Sequence, residues 1–280
     1  MHIGLAMFPT EDAPLPAALA RMAEDRGFES LWFAEHTHLP VGTRDDSGRD
    51  PGMRYRRTLD PFVAMTAAAA ATTKLRVGTG VCLVTQRDPI ITANAVASVD
   101  LLSGGRMSFG VGAGWNRTEL LNHGTDPRTR MRLMAERMHA MIEIWTHDEA
   151  SFHGEFVDFD PIWSWPKPVQ KPYPPIAIGG DGPTVEDRIL DYGDEWMPNL
   201  HDEVALLDRW RRLTDRAGRV IPLTMTGVDA DPRQLSRLRD AGIHRSLAWL
   251  PQTANHGVVS IGEAARFLDS LAAAVESSQA

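Results

Sequence analysis

The chain has 280 residues, 43% hydrophobic and 24% charged, with a formal net charge of -8; that is the length of one large α/β domain or two small ones. The acidic balance, with no basic patch to offset it, argues against a nucleic-acid partner. The single Cys82 excludes an internal disulfide, and with no basic leader and no apolar run of membrane length the expectation is a cytoplasmic chain without a membrane partner.

In chain order, apolar runs alternate with amphipathic segments. Strands are predicted at 2–8, 29–34, 76–84, 106–112, 175–179, 194–198, 221–228 and 245–250. Helices are predicted at 13–26, 61–73, 89–103, 127–146, 183–192, 202–217, 232–241 and 261–276. Eight strand–helix pairs are the count of a (β/α)8 barrel, here one domain over residues 1–280, with a doubly wound open sheet as the alternative. The helix starts agree. Asp60-Pro61, Asp88-Pro89, Asp126-Pro127 and Asp231-Pro232 each offer a carboxylate N-cap followed by proline at the first helical position, and Gly182-Pro183 offers a glycine in the same place. Gly27, Gly104 and Gly242 sit where helices should stop.

Two stretches exceed the usual length of about 2–6 residues for a strand–helix loop. Residues 36–59, after the second strand, are polar and turn-rich, the composition of a lid. Residues 149–174, after the fourth strand and its helix, carry Phe152, Phe156, Phe159, Trp163 and Trp165 and then a proline-rich run, which reads as an ordered excursion packed by aromatics.

In a barrel the chemistry lies at the C-terminal ends of the strands. The fourth strand runs into Gly110, Gly112 and Gly114, followed by Trp115, Asn116, Arg117 and Glu119. Strand glycines give up packing and make sense where a backbone or ligand approaches closely. Their GxGxG spacing differs from the dinucleotide fingerprint GxGxxG. The second strand ends in Glu35-His36-Thr37-His38. His36 suits a proton donor or acceptor, while His36 with His38 could instead be part of a metal site that would need further ligands from other strands. Gly179-Gly180-Asp181-Gly182 has the composition of an anion cradle. Trp115, Trp163, Trp165 and Trp249 could wall a flat apolar pocket. Only Lys74, Lys167 and Lys171 are present, none at a predicted strand end, so Schiff-base and pyridoxal chemistry are disfavoured.

Together, Trp32-Phe-Ala-Glu-His36, Gly78-Thr-Gly-Val81, Gly110-Val-Gly-Ala-Gly-Trp-Asn116, Pro168 to Ile176 and Ile178-Gly-Gly-Asp-Gly-Pro183 resemble the luciferase-like monooxygenase superfamily, closest to its coenzyme F420-dependent branch. The resemblance implies a (β/α)8 barrel with a flavin or deazaflavin ring across the strand ends and a non-prolyl cis peptide at Gly80-Val81. It implies His36 beside the ring, cofactor contacts from Gly112, Ala113, Gly114 and Asn116, and phosphate contacts from Gly179, Gly180 and Gly182. The sugar-phosphate dehydrogenases of that branch carry an acid where this chain has Trp115, and an aspartate where it has Glu35. These departures point to a bulkier, more apolar substrate.

The expectation is therefore an oxidoreductase passing a hydride between F420 and an organic substrate. His36 and Glu35 are its candidate catalytic residues, Gly80 and Val81 lie behind the ring, and Trp115 and Trp163 line the substrate pocket. The alternatives are an FMN-dependent monooxygenase served by a separate reductase, a metal-dependent hydrolase on His36 and His38, and a non-catalytic cofactor-binding barrel. The family's frequent dimers make a homodimer an expectation.

Overall fold

The computed structural model describes residues 1–45, 47–199, 202–251 and 259–279; Asp46, in the polar lid stretch, lies outside the described residues. Each predicted strand and helix is present with shifted bounds. The chain runs β1 (His2–Met7), α1 (Pro16–Asp25), β2 (Ser30–Phe33), α2 (Pro61–Ala70), β3 (Arg76–Thr79), β4 (Cys82–Leu83), α3 (Pro89–Ser103), β5 (Met107–Gly112), α4 (Arg117–Asn122) and α5 (Arg130–Thr146). It continues with β6 (Glu149–His153), β7 (Asp158–Trp163), β8 (Ile176–Gly179), α6 (Val185–Asp191), β9 (Glu195–Met197), α7 (Glu203–Ala217), β10 (Thr224–Thr226), α8 (Pro232–Asp240), β11 (Arg245–Trp249) and α9 (Ile261–Gln279).

The large sheet has the order β10-β11-β1-β2-β3-β5-β8-β9 with parallel neighbours throughout, and β4 continues alongside β5. Parallel bridges Trp196↔Leu223 and Asn199↔Thr226 join its two ends, so the sheet closes into a (β/α)8 barrel. The run predicted as one strand over 76–84 is two, β3 and β4, separated by a cis peptide at Gly80-Val81.

Strand alternation builds two cores. Leu5, Met7, Leu31 and Phe33 face outward under the helices, in the main cluster with Val77, Phe109 and Ile176. The residues between them face inward: Ala6 and Trp32 meet Ala177, Met197 and Leu247 inside the barrel, with Val81 and Trp249 against them. Trp32 and the close approach of neighbouring strands are why strand glycines are needed here. A Cβ on Gly78 would stand 2.6 Å from its ring, and one on Gly110 would run into the Thr79 carbonyl.

Asp60, Asp88 and Asp231 cap α2, α3 and α8 through backbone N–H groups, as expected. Two starts differ. Asp126 instead accepts the backbone and guanidinium N–H groups of Arg128, and α5 begins at Arg130. Helix α6 begins at Val185 after Thr184, leaving Gly182-Pro183 in the loop before it.

The aromatic excursion is the antiparallel hairpin β6–β7 followed by a proline-rich strap. Glu136 of α5 accepts the N–H groups of Glu155, Phe156 and Val157 at 2.7–3.1 Å, seating the hairpin tip on that helix. Lys167 then donates to the Ile144 and His147 carbonyls at the end of α5, and Gln170 bonds Asp100 near the end of α3 and the carbonyl of Met107, the first residue of β5. Barrel helices run opposite to the strands, so helix ends and strand starts both mark the N-terminal face of the barrel. Among the described residues no helix is long and apolar enough to cross a membrane.

Candidate active site at the C-terminal face of the barrel

His36 leaves the end of β2 and is 6% exposed. Its Nδ1 lies 2.9 and 3.0 Å from the two carboxylate oxygens of Glu119, which is fully buried. A carboxylate accepts but does not donate, so Nδ1 carries the hydrogen and Nε2 is left as the chemically available nitrogen. The sequence marked Glu119 only as one of several polar groups after the glycines; the fold makes it the partner of His36.

Local structure explains how Glu119 gets there. The Asn116 side chain accepts from the N–H groups of Thr118 and Glu119 and so starts α4, the short helix missing from the sequence reading. Glu119 then stands at the third helical position, where a capping box would turn its carboxylate back to the cap. Here it reaches across to His36 instead. Asn116, expected to touch the cofactor, has its carbonyl oxygen committed to this cap, while its Nδ2 lies 3.4 Å from Thr43 Oγ1 of the lid.

Glu35, expected to be catalytic, is buried with its carboxylate taken up by protein: the Leu83 N–H at 2.6 Å, Arg87 Nε at 2.5 Å and a second Arg87 nitrogen. Burial opposes the charge of Arg87, but Glu35 outweighs it and the guanidinium is held more strongly protonated than usual. Glu35 therefore pins β4 and the turn after it. Burial foremost, then Glu35, pushes the neighbouring Cys82 thiol well above its ordinary value, consistent with a packing role.

His38 turns away from His36. Its ring bonds Thr37 Oγ1 and Asn122 Nδ2 at 3.0 Å, and Thr37 also bonds His123. The two histidines of the H-x-H do not converge, and among the described residues no cluster of three or more His, Cys, Asp or Glu could hold a metal.

The cis bulge forms the floor. Val81 points between two glycines, its methyls 2.6 Å from a Cβ on Gly112 and 2.7 Å from one on Gly179. Those glycines, expected to admit the cofactor, admit Val81. The adjoining Ala113 is buried, its carbonyl accepting from Thr85, and Gly114 turns the chain with φ +77°. Gly180 and Gly182 are different, because a Cβ on either would meet none of the described residues within 4 Å. The Gly180 carbonyl accepts from Trp196 Nε1 at 2.8 Å, and Arg209 donates to the Asp181 and Gly182 carbonyls. In a trans peptide the N–H points opposite to the carbonyl, so the Asp181 and Gly182 N–H groups face away from these partners.

Aromatic rings surround His36. Tyr55 lies 4.9 Å away centroid to centroid, Trp115 6.1 Å and Phe8 6.5 Å, and Trp249 stacks on Phe8 at 5.5 Å. Tyr55 comes from the lid and went unnoticed in the sequence. Beside these rings a cleft of about 600 Å³ opens between Trp115 and the lid residues Asp45, Arg49, Asp50, Arg54 and Tyr55. Trp163, expected in the same pocket, is 76% exposed, and its Nε1 bonds Glu149 at the base of the hairpin. It stands near the end of α5, at the opposite face of the barrel.

Known proteins resemble this chain in sequence and in fold. An uncharacterized protein of Mycobacterium tuberculosis is 38% identical, with 98% of each chain covered. An FMNH2-dependent dimethylsulfone monooxygenase of Pseudomonas putida is 34% identical over 65% of this chain and 47% of its own. An F420-dependent glucose-6-phosphate dehydrogenase of Amycolatopsis mediterranei is 27% identical over 89% of this chain and 74% of its own. The solved structure of the monooxygenase RslO1 from Streptomyces bottropensis superposes over the full length of both chains with a TM-score of 0.77 at 18% identity. Residues 12–271 match the family described as luciferase-like monooxygenase, and the chain belongs to that family of oxidoreductases.

Proposed function

We propose that the protein, as a single barrel domain, transfers a hydride between coenzyme F420 and an organic, fairly apolar substrate. The observation that carries this reading is the buried His36–Glu119 pair, set among aromatic rings at the strand ends. Other features fit a large planar cofactor with a phosphate. The Val81 floor is apolar, the Asp181 and Gly182 N–H groups lie in a loop open at both glycines, and the buried Gln86 amide, close to Gly114, has no hydrogen-bond partner for either atom among the described residues. A bound deazaflavin or flavin would supply the redox chemistry that no side chain here can.

The chain's own residues then have defined tasks. Glu119 accepts the Nδ1 hydrogen and fixes the ring, so that Nε2 gives or takes the proton accompanying hydride transfer. Asp181 and Gly182 hold the phosphate through backbone N–H groups, while Gly180 gives its own N–H to the Met197 carbonyl and Arg209 braces the loop from behind. Gly80 and Val81 back the ring. Trp115 and the lid keep water from the reacting atoms. The F420-dependent relative spans 89% of this chain against 65% for the FMNH2-dependent one, which favours F420. The higher identity of the FMNH2-dependent relative keeps a second reading in view: a monooxygenase using FMN, O₂ and a separate reductase. A homodimer in the cytoplasm suits either.

Titration of the purified chain with F420 and with FMN, by fluorescence quenching or calorimetry, tests the choice. Micromolar or tighter binding of F420 with weak FMN binding is expected. The reverse preference replaces the first reading with the second, and binding of neither sinks both.

A further inference from the structure

Tyr55 belongs to the 36–59 segment, yet it packs as part of the site. Its ring lies 4.8 Å from Phe8, 4.9 Å from His36 and 5.9 Å from Trp115, all edge-on. The segment is tied down on both sides of it. Toward its end, the Leu59 N–H donates to the Pro9 carbonyl at 2.6 Å, Thr58 pairs with Thr10, and Arg57 forms ion pairs with Glu11 and Asp12. At its start, His38 and Thr37 bond Asn122 and His123 around the end of α4. The Arg54 guanidinium lies 5.0 Å over both Phe8 and Tyr55. Tyr55 is thus held by the fold as a wall, and it lines the cleft together with Trp115.

We infer that Tyr55 is a specificity-determining residue, which with Trp115 selects a flat, conjugated ring as the substrate; this rests on the oxidoreductase reading above. The cleft, about 600 Å³, lies within the range of small-molecule sites. Among the described residues its rim carries two acids, Asp45 and Asp50, and two guanidiniums, Arg49 and Arg54, so these charges balance. Selection then falls to the two rings, which favour an aromatic partner through offset or edge-to-face contact beyond what area burial gives. His36 touches both rings, so a flat ligand lying on them is brought up to the proton-carrying nitrogen. A saturated, puckered ligand of the same size fills the cleft without that contact.

Two uncharged probes of one skeleton test this: naphthalene-2-methanol and its decahydro analogue. Each is titrated into the full chain by calorimetry, with and without the cofactor the chain binds. Preference for the aromatic probe is expected to be about tenfold, as two aromatic contacts allow. Tyr55→Leu should lower it about fivefold and Tyr55→Phe should leave it unchanged. Equal affinities in the unaltered chain, or an undiminished preference in Tyr55→Leu, would overturn the inference. Because the probes are also read on the cofactor-free chain, failure to bind F420 or FMN would defeat the oxidoreductase reading without hiding this result. Circular dichroism and an unchanged cofactor affinity establish that Tyr55→Leu is folded.

Discussion

The two ends of the barrel both bury charge, and they treat it in opposite ways. At the N-terminal face Arg245, 3% exposed, donates to Glu29 at 2.8 and 2.9 Å and to Glu195 at 2.9 Å, with Thr224 bridging and its guanidinium over Trp32. Arg76 stands beside Glu29 and donates to the Met107 carbonyl, so two cations meet two anions with their hydrogen bonds made inside the protein. At the C-terminal face His36 keeps one nitrogen turned from Glu119, the Gln86 amide is unmatched among the described residues, and the 179–182 loop is open at its glycines. A polar network closed on itself holds a fold together. One left incomplete has room for something else.

The largest effect should come from opening the closed end. Arg245→Met leaves Glu29 and Glu195 buried without their cation and is expected to cost about 3–5 kcal/mol, read from urea or thermal melts. The acid limb of stability sharpens the point. Burial raises the Glu29 carboxyl, but the Arg245 hydrogen bonds and charge outweigh it and leave it below its ordinary value of 4.5. A lowered carboxylate stabilises the fold above its unfolded value, and that contribution disappears as pH falls through the lowered folded value. Stability should therefore decline below about pH 4.5, and the decline should be shallower in Arg245→Met. Equal acid slopes in the two proteins would mean that the network does not govern acid stability.

Changes at the open end should cost activity before stability. His36→Ala is expected to slow turnover by about 10²–10⁴-fold, the range for a positioned acid or base. Glu119→Gln keeps the shape but removes the charge that orients the imidazole. It should slow turnover by about 10–100-fold, the loss seen when a carboxylate behind a functional histidine is removed from a metal site, and it should move the pH profile of kcat. A Glu119→Gln enzyme with an unaltered pH profile would remove Glu119 from the proton path. Asn116→Ala lies between the two classes: loss of the cap costs about 1 kcal/mol, and activity falls with it because α4 carries Glu119.

How much of this could be read in the sequence follows from how local each signal is. The caps at Asp60, Asp88 and Asp231 are decided within three residues and were legible, whereas Asp126 was misread because Arg128, two residues on, draws its carboxylate away from the helix start. The glycines of β5 were legible as a close approach, but the partner filling Gly112 and Gly179 is Val81, on another strand. The His36–Glu119 pair spans 83 residues of sequence, and Asn-x-x-Glu alone reads as a capping box. Tyr55 sits in a polar stretch with no periodicity to mark it. Trp163 was misplaced because aromatic richness does not say which end of a barrel a segment occupies. Its position after α5, rather than directly after a strand, does.

The smallest expected effect concerns how firmly the lid is held over the open end. His123, at the end of α4, shares Thr37 with His38, and their rings lie 5.2 Å apart. Burial chiefly, then the neighbouring His38 and, further down, Arg87, disfavour its charged form, outweighing Glu119 and Glu35, so its value falls below the ordinary 6.5. The sign follows from the neutral ring being the one the fold prefers: the contact is complete above about pH 6.5, and its contribution declines as pH drops from there toward the lowered folded value. Hydrogen exchange in residues 37–45 should therefore quicken between pH 7 and 5 beyond the intrinsic pH dependence of exchange, while β1 and β2 stay protected. His123→Gln, which keeps a hydrogen-bonding group but cannot charge, should remove that excess. If the excess persists in His123→Gln, the lid is loosened by some other group.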